Sequence, residues 1–440
     1  MKRHKLHIHT VGCKANQADS VIIDSGVQAG LFEKVQNNAD ADIVVINTCC
    51  VTVQAERDSK KVARSILRNN PQAKIIFTGC AVSAFKDFAK DFDNRAVTVG
   101  GGKTSPLQVS QWLNSFAENS LNITEVNKYL PYFDIPDNFT DLPAMPPENR
   151  TRAFLKIQNG CTHNCTYCIV PKARGKEQSM PLHLILERVG AFKASGVKEL
   201  VLTGVQLGAY GSDLENLSNF ENNNTLANVL QKSAELFYPG RIRLGSIEPW
   251  SVNEELVLTV ANTKNICNHL HIPLQSGDDK VLGDMKRGYN TKFYKNILEI
   301  ITSASSEIAV GTDVICGFPT ESETAFENSL NFIKSCGFSY LHAFSYSSRP
   351  GTMAHKLYGE GDRTTAKTRV IKMREAGDKL HLQFIKTRIN KKCTVLVEDD
   401  NKGVTETFLQ VEINGQKRGT LIDCMLKQDE NSGSLTATPL

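Results

Sequence analysis

The sequence predicts an α/β protein in three parts: an N-terminal open parallel-sheet domain, a central partial (β/α)6 barrel and a small C-terminal β-barrel. Three observations predict this. Apolar strand-like runs alternate with amphipathic helical runs over roughly the first hundred residues. The same alternation returns from 151 to about 350 and supplies six strands. Residues 393–440 read instead as short strands separated by Gly, Asn and Asp turns.

In the first part the strands are "LHIHTVG" (6–12), "DIVVINT" (42–48), "KIIFTG" (74–79) and "AVTVG" (96–100). Helices are expected over about 16–30, 54–69 and 82–91. Strand-helix-strand alternation implies parallel pairing with helices on the sheet faces. From 103 to 150 the pattern weakens, and "YLPYFDIPDNFTDLPAMPPENR" reads as a proline-rich linker. The central strands are "RAFLKIQ", "ELVLTG", "RIRLGSI", "HLHIPL", "IAVGTDVICG" and "YLHAFSY". Six units fall short of a closed eight-stranded barrel, and either architecture puts chemistry at the carboxyl ends of the strands. Residues 363–392 carry ten Lys/Arg against two acidic residues and read as a helix with a basic face. The tail strands are "CTVLVED", "ETFLQVEI" and "GTLIDCML". The domain boundaries expected from this pattern are 1–102, a linker over 103–150, then 151–385 and 386–440.

The 440 residues carry a net charge of only +4, so any binding of nucleic acid must come from a local basic patch. The opening "MKRHKLHIHTVGC" runs from basic residues straight into a strand pattern, without a long apolar signal region. No run of about 18 apolar residues occurs, so no membrane partner is expected and the expected location is cytoplasmic. In that reducing compartment the twelve cysteines point to metal binding or catalysis more than to disulfides. Cys50, Cys267, Cys336, Cys393 and Cys424 read as small buried hydrophobes.

Cys161, Cys165 and Cys168 are different, because "QNGCTHNCTYC" crowds three thiols into eight residues at the end of a strand. A disulfide would leave an odd thiol in a reducing compartment. A zinc site of the three thiols and His163 has the right donors. An iron–sulfur cluster is the third reading. Four irons held by three thiols leave one iron open to a small ligand. A second set is spread along the chain: Cys13, Cys49 and Cys80 each follow a strand, in "TVGC", "NTCC" and "TGC". The carboxyl ends of parallel strands share one edge, so these three could converge on a metal, or each could be structural.

The C-x3-C-x2-C spacing, with an aromatic before the last cysteine, resembles the radical S-adenosylmethionine (SAM) superfamily. The resemblance implies a [4Fe–4S] cluster on Cys161, Cys165 and Cys168 whose open iron chelates SAM. The reduced cluster then cleaves SAM to methionine and a 5′-deoxyadenosyl radical. Strand-end residues that fit SAM binding are Thr203 and Gly204 in "VLTGVQLGAYG", Glu248 in "GSIEP", Gln275 in "HIPLQSG" and Asp313 in "GTDVICGFPTE". Gly208, His271, Ser276 and the Gly317-Phe318-Pro319 turn lie in the same stretches.

Over about 6–425 the chain resembles the methylthiotransferase family, through "GCKANQADS", "NTCCVTVQA", "FTGC", "GCTHNCTYCIVPKARG" and "HIPLQSGDDKVLGDMKRGYN". The resemblance implies a second [4Fe–4S] cluster on Cys13, Cys49 and Cys80, and a TRAM-like RNA-binding module at 386–440. Family members act on isopentenyladenosine in tRNA, on threonylcarbamoyladenosine in tRNA, or on an aspartate of a ribosomal protein. "CCVTVQA" and "ELVLTGVQLGAYG" resemble the threonylcarbamoyl group. The expected reaction is therefore 2-methylthiolation of N6-threonylcarbamoyladenosine at tRNA position 37. Its implied partners are tRNA, a one-electron reductant such as a flavodoxin or ferredoxin, and a sulfur donor. The other two substrates are the alternatives, and a zinc-binding RNA module without catalysis is a more remote one.

Overall fold

A computed structural model describes residues 3–101, 105–118, 151–214, 225–429 and 434–440. The chain divides into two compact units. The first holds the described residues within 1–145, with 159–164 and 168–184; the second holds those within 146–158, with 165–167 and 185–440.

The first unit begins β1 (His4–Thr10), α1 (Lys14–Gly26), β2 (Phe32–Lys34), β3 (Ile43–Thr48), α2 (Val53–Asn69), β4 (Lys74–Gly79), α3 (Cys80–Ala84), β5 (Ala96–Thr98) and α4 (Pro106–Glu118). The sheet is parallel throughout, in the order β2-β1-β3-β4-β5. β3 is buried along its whole length, and its apolar run over 43–46 is that of a strand covered on both faces. Helix α2 starts where the Thr52 hydroxyl accepts a hydrogen bond from the Ala55 N–H.

Two expectations fail here. The helix expected over 82–91 is only α3, because Phe85 turns to extended backbone and ends it. The linker expected over 103–150 contains α4, whose Val109, Trp112, Leu113 and Phe116 pack into the core with Leu6, Ile23 and Ile43. The proline-rich stretch of that linker lies outside the described residues.

Next along the chain come β6 (Arg152–Asn159), the three-cysteine loop, α5 (Val170–Arg174), β7 (Gln178–Ser179) and α6 (Leu182–Ala194). The second unit continues with β8 (Glu199–Gly204), α7 (Leu226–Phe237), β9 (Arg241–Leu244), α8 (Glu254–Asn262), β10 (His269–His271), α9 (Asp279–Asp284) and α10 (Thr291–Ala304). It then forms β11 (Ala309–Cys316), α11 (Glu323–Ser335), β12 (Tyr340–Ser345), α12 (Met353–Tyr358) and α13 (Arg363–Arg388). Strands β6-β8-β9 and β10-β11-β12 are each parallel, and single bridges from Ile242 to Ile266 and from Ser246 to His271 join the two sets. The six strands thus form the expected open arc of a partial (β/α)6 barrel.

The chain ends in a closed barrel, β13-β14-β15-β17-β16, built from β13 (Lys392–Asp399), β14 (Lys402–Thr405), β15 (Gln410–Glu412), β16 (Leu421–Gln428) and β17 (Leu435–Pro439). Closure leaves no unpaired edge on so short a sheet. No helix among the described residues is long and apolar enough to cross a membrane.

Candidate functional site

In the first unit Cys13, Cys49 and Cys80 follow β1, β3 and β4, which are neighbours in the sheet. Cys13 occupies the N-cap position of α1, yet its thiol makes no capping bond. Gly12 has φ +105°, and a Cβ there would lie 2.6 Å from the Cys49 Cβ and 2.8 Å from its Sγ. Only glycine lets the Cys13 loop approach Cys49 this closely. Asn16, fully buried, ties these strand ends together. Its Nδ2 donates to the carbonyls of Val11 and Thr48, each at 2.9 Å.

Burial, reinforced by the neighbouring Cys13, pushes the Cys49 thiol up to about 12. Cys80 moves the other way, to about 6. A hydrogen bond from Cys50 does most, opposed by burial and aided by Arg174. Cys50 itself is fully buried in the hydrophobic core, as expected. The Arg174 guanidinium reaches this site from α5, with its Nε 3.0 Å from Cys80 Sγ. Three thiols at neighbouring strand ends, one bonded by a cation and two brought close by a glycine-shaped loop, fit a cluster of sulfur-loving metal.

The three-cysteine loop follows β6, and all three thiols are partly exposed. Within the first unit, the Cys161 N–H donates to the Gly175 carbonyl at 2.9 Å, and the Thr162 N–H and hydroxyl donate to Glu177 Oε1. Within the second unit, the Thr166 N–H donates to the Met285 carbonyl at 3.0 Å. Arg287 donates to Cys165 Sγ at 3.3 Å and to the Tyr167 hydroxyl at 3.4 Å, and is ion-paired with Glu248. Its guanidinium also lies 4.8 Å from the Trp250 ring centroid. Partly exposed thiols, one bonded to a fixed cation, fit a cluster that keeps an open position. Arg287 sits in the quoted stretch "GDMKRGYN", but nothing local marks it out from its lysine neighbour.

The expected SAM-binding residues fall at the carboxyl ends of the arc. Thr203 is buried at the end of β8, and a Cβ on Gly204 would stand 3.0 Å from Gln158 Cβ. Gln206, two residues on from Gly204, has a buried Oε1 without a hydrogen-bond partner among the described residues. Glu248 is held by Arg287. Gln275 takes φ +71° and bridges Asp313 and Ile315 through its backbone. Gly208 and Gly317 are close-packed on protein. A Cβ would lie 2.1 Å from Ser251 Cβ in the first case and 2.4 Å from Ala366 Cβ in the second. Ser276 is spent on Ser329.

Asp313 is the centre of a denser group. Its Oδ1 lies 3.0 Å from His271 Nε2 and 3.2 Å from His342 Nδ1. Burial alone would raise this carboxyl. Hydrogen bonds from the two imidazoles outweigh it and hold Asp313 well below the usual carboxylate range. The Tyr340 hydroxyl bonds His269 Nε2 at 2.8 Å and His271 Nδ1 at 3.0 Å. His342 is half-exposed, so the row presents a polar, hydrogen-bonding end to solvent. Parallel pairing of β10, β11 and β12 aligns these residues; His342 was not singled out from sequence.

The basic helix differs from expectation. Arg369 is buried against Glu321 and Glu323, and Arg388 is ion-paired with Glu307. Lys367, Lys372, Arg374, Lys379 and Lys386 remain exposed on α13.

Residues 155–333 match the family described as "Radical SAM superfamily", and residues 5–100 match "Uncharacterized protein family UPF0004". The chain is 32% identical over 407 residues to "Threonylcarbamoyladenosine tRNA methylthiotransferase MtaB" of Rickettsia prowazekii (strain Madrid E), covering 92% of this chain and 91% of the relative. It is 29% identical over 434 residues to "tRNA-2-methylthio-N(6)-dimethylallyladenosine synthase" of Natranaerobius thermophilus, covering 95% and 93%. Among solved structures, the radical S-adenosylmethionine methyltransferase TsrM from Kitasatospora setae aligns with a TM-score of 0.53 at 11% identity, covering 81% of this chain and 78% of that one. That likeness is one of fold.

Proposed function

This chain belongs to the family of radical SAM methylthiotransferases, and on that premise we propose that it converts N6-threonylcarbamoyladenosine at position 37 of tRNA to the 2-methylthio derivative. The observation that carries the reading is the pairing of two three-cysteine sets, one in "NGCTHNCTYC" and one at the edge of the N-terminal sheet. "CCVTVQA" supports the threonylcarbamoyl substrate over the isopentenyl one.

On this reading Cys161, Cys165 and Cys168 hold one [4Fe–4S] cluster, and Cys13, Cys49 and Cys80 hold a second, auxiliary one. The first, when bound and reduced, supplies the electron that cleaves SAM and starts hydrogen abstraction at adenine C2. The chain's own residues orient and shield. Arg287 fixes Glu248 and the Cys165 sulfur together, so that both stay in place as SAM arrives. Gly204 lets the end of β8 pack against Gln158, whose Oε1 accepts from the Val205 and Gln206 N–H groups and fixes the loop beyond the strand. The Asp313 row, with His342 at its open end, offers hydrogen bonds to a polar substrate group.

The auxiliary cluster, when held by Cys13, Cys49 and Cys80, would be the place of sulfur delivery, and a second SAM would supply the methyl group. The exposed lysines of α13 and the C-terminal barrel contact the tRNA backbone. The working division is 1–102, a linker over 103–150 whose helix α4 packs with the first part, then 151–385 and 386–440. A flavodoxin or ferredoxin supplies electrons, a separate donor supplies sulfur, and the reaction runs in the cytoplasm.

The test is direct. Anaerobically reconstituted protein is given SAM, reductant and tRNA carrying either modified adenosine, and the nucleosides are read by mass spectrometry. Methylthiolation of the threonylcarbamoyl nucleoside alone is the expected result. Preferential modification of isopentenyladenosine would reverse the substrate assignment.

A further inference from the structure

Arg174 stands six residues beyond Cys168 in sequence, yet its side chain is spent on the other cysteine set. It is almost fully buried. Its Nε donates to Cys80 Sγ at 3.0 Å, its Nη1 to Asp19 Oδ2 at 2.7 Å and to Asn159 Oδ1 at 3.3 Å, and its Nη2 to Asn16 Oδ1. Every nitrogen of the guanidinium thus has an acceptor. Asn16 is the residue that ties the Val11 and Thr48 carbonyls, so Arg174 and Asn16 together reach the loops of all three thiols.

A buried arginine is costly unless its charge is met. Asp19 meets it in part, but Asp19 alone does not explain a guanidinium turned edge-on to a cysteine sulfur. A cluster on three thiolates carries net negative charge, and reduction adds one more electron. A buried cation hydrogen-bonded to one ligating sulfur stabilises the reduced form more than the oxidised one. Hydrogen bonds to sulfur are among the levers that set cluster potentials.

We propose that Arg174 is a positioning residue for the auxiliary cluster, one that binds the Cys80 sulfur, neutralises cluster charge and raises both its retention and its reduction potential. This rests on the two-cluster reading above.

The test uses full-length protein carrying Cys161→Ala, Cys165→Ala and Cys168→Ala, so that only the auxiliary cluster can load. To it are added Arg174→Gln, Arg174→Lys, or Arg174→Gln with Asp19→Asn, the last removing both buried charges so that no lone carboxylate threatens folding. Midpoint potential is read by electron paramagnetic resonance in poised mediator solutions, and iron loss by a chelator. Arg174→Gln and the double variant should shift the midpoint to more negative values and lose iron about ten- to a hundredfold faster, the factor expected for one charge-assisted hydrogen bond. Arg174→Lys keeps the charge without the fork and should fall between. Unchanged midpoint and iron loss in the double variant would overturn the role of Arg174 while leaving the cluster assignment intact. Absence of any cluster in the starting triple variant would overturn both.

Discussion

Glu199 offers a test of how the C-terminal barrel is fixed to the catalytic sheet. Its carboxylate, fully buried on β8, accepts from Arg241 Nε at 2.7 Å and from Arg243 Nε at 2.9 Å. The two arginines, on β9, also reach the barrel, while the Nη2 of each stays close to Glu199 Oε2. Arg241 donates to the Thr394 and Val404 carbonyls, and Arg243 to those of Thr405 and Glu406. Glu199→Gln keeps the shape and takes from two buried guanidiniums the carboxylate that both of them bond. Breaking a buried pair in this way costs about 3–5 kcal/mol. At about 2–4 °C per kcal/mol for a domain of this size, the second unit should melt about 6–20 °C lower.

The sign with pH follows from the carboxyl. Burial would raise it, but Arg243 and Arg241 hold it well below the ordinary range. Its contribution is therefore complete above the unfolded value of about 4.3 and is lost as pH falls toward the depressed folded value. The gap between Gln variant and parent should be full at pH 7 and should narrow only under strong acid. Anaerobic thermal unfolding, with limited proteolysis to report release of the barrel, measures this. A variant within about 1 kcal/mol of the parent at pH 7, with unchanged proteolysis, would refute the reasoning.

Arg287→Met should cost about 2–3 kcal/mol by stranding Glu248, and adding Glu248→Gln should recover most of it; simple additivity in that double-mutant cycle would break the pairing. Cys13→Ala with Cys49→Ala and Cys80→Ala should keep the radical cluster's iron and 5′-deoxyadenosine formation but yield no methylthio product; methylthiolated tRNA from that variant would make these cysteines structural. Lys367→Glu with Lys379→Glu, both exposed on α13, should weaken tRNA binding and flatten the log–log salt slope by about two units; an unchanged slope would make the helix face merely solvated.

What could be read from sequence were features encoded within a few residues. β3 and β4 run as largely apolar stretches straight into Cys49 and Cys80, and the alternating β1 ends just before Cys13, so both the strands and the shared edge were visible. Helix α4 was legible too, with Val109, Trp112, Leu113 and Phe116 at helical spacing, but the neighbouring prolines masked it. β14 and β17, at four and five residues, carry too little pattern to stand out. The rest depends on partners far along the chain. Arg174 meets Cys80 across 94 residues and Asp19 across 155. Arg369 looked like part of a basic face because nothing nearby reveals Glu321 and Glu323, which remove it from the surface. Gly208 lies in the same stretch as the expected SAM-binding residues Thr203 and Gly204, and only the fold brings Ser251 against it.

The most direct measurement is nucleoside mass spectrometry of tRNA from a strain lacking this protein, compared with its parent. The account predicts that the 2-methylthio form of N6-threonylcarbamoyladenosine disappears, that unthiolated threonylcarbamoyladenosine accumulates in its place, and that the isopentenyl series is unchanged. Persistence of the 2-methylthio threonylcarbamoyl nucleoside, or loss of the isopentenyl one instead, would contradict it.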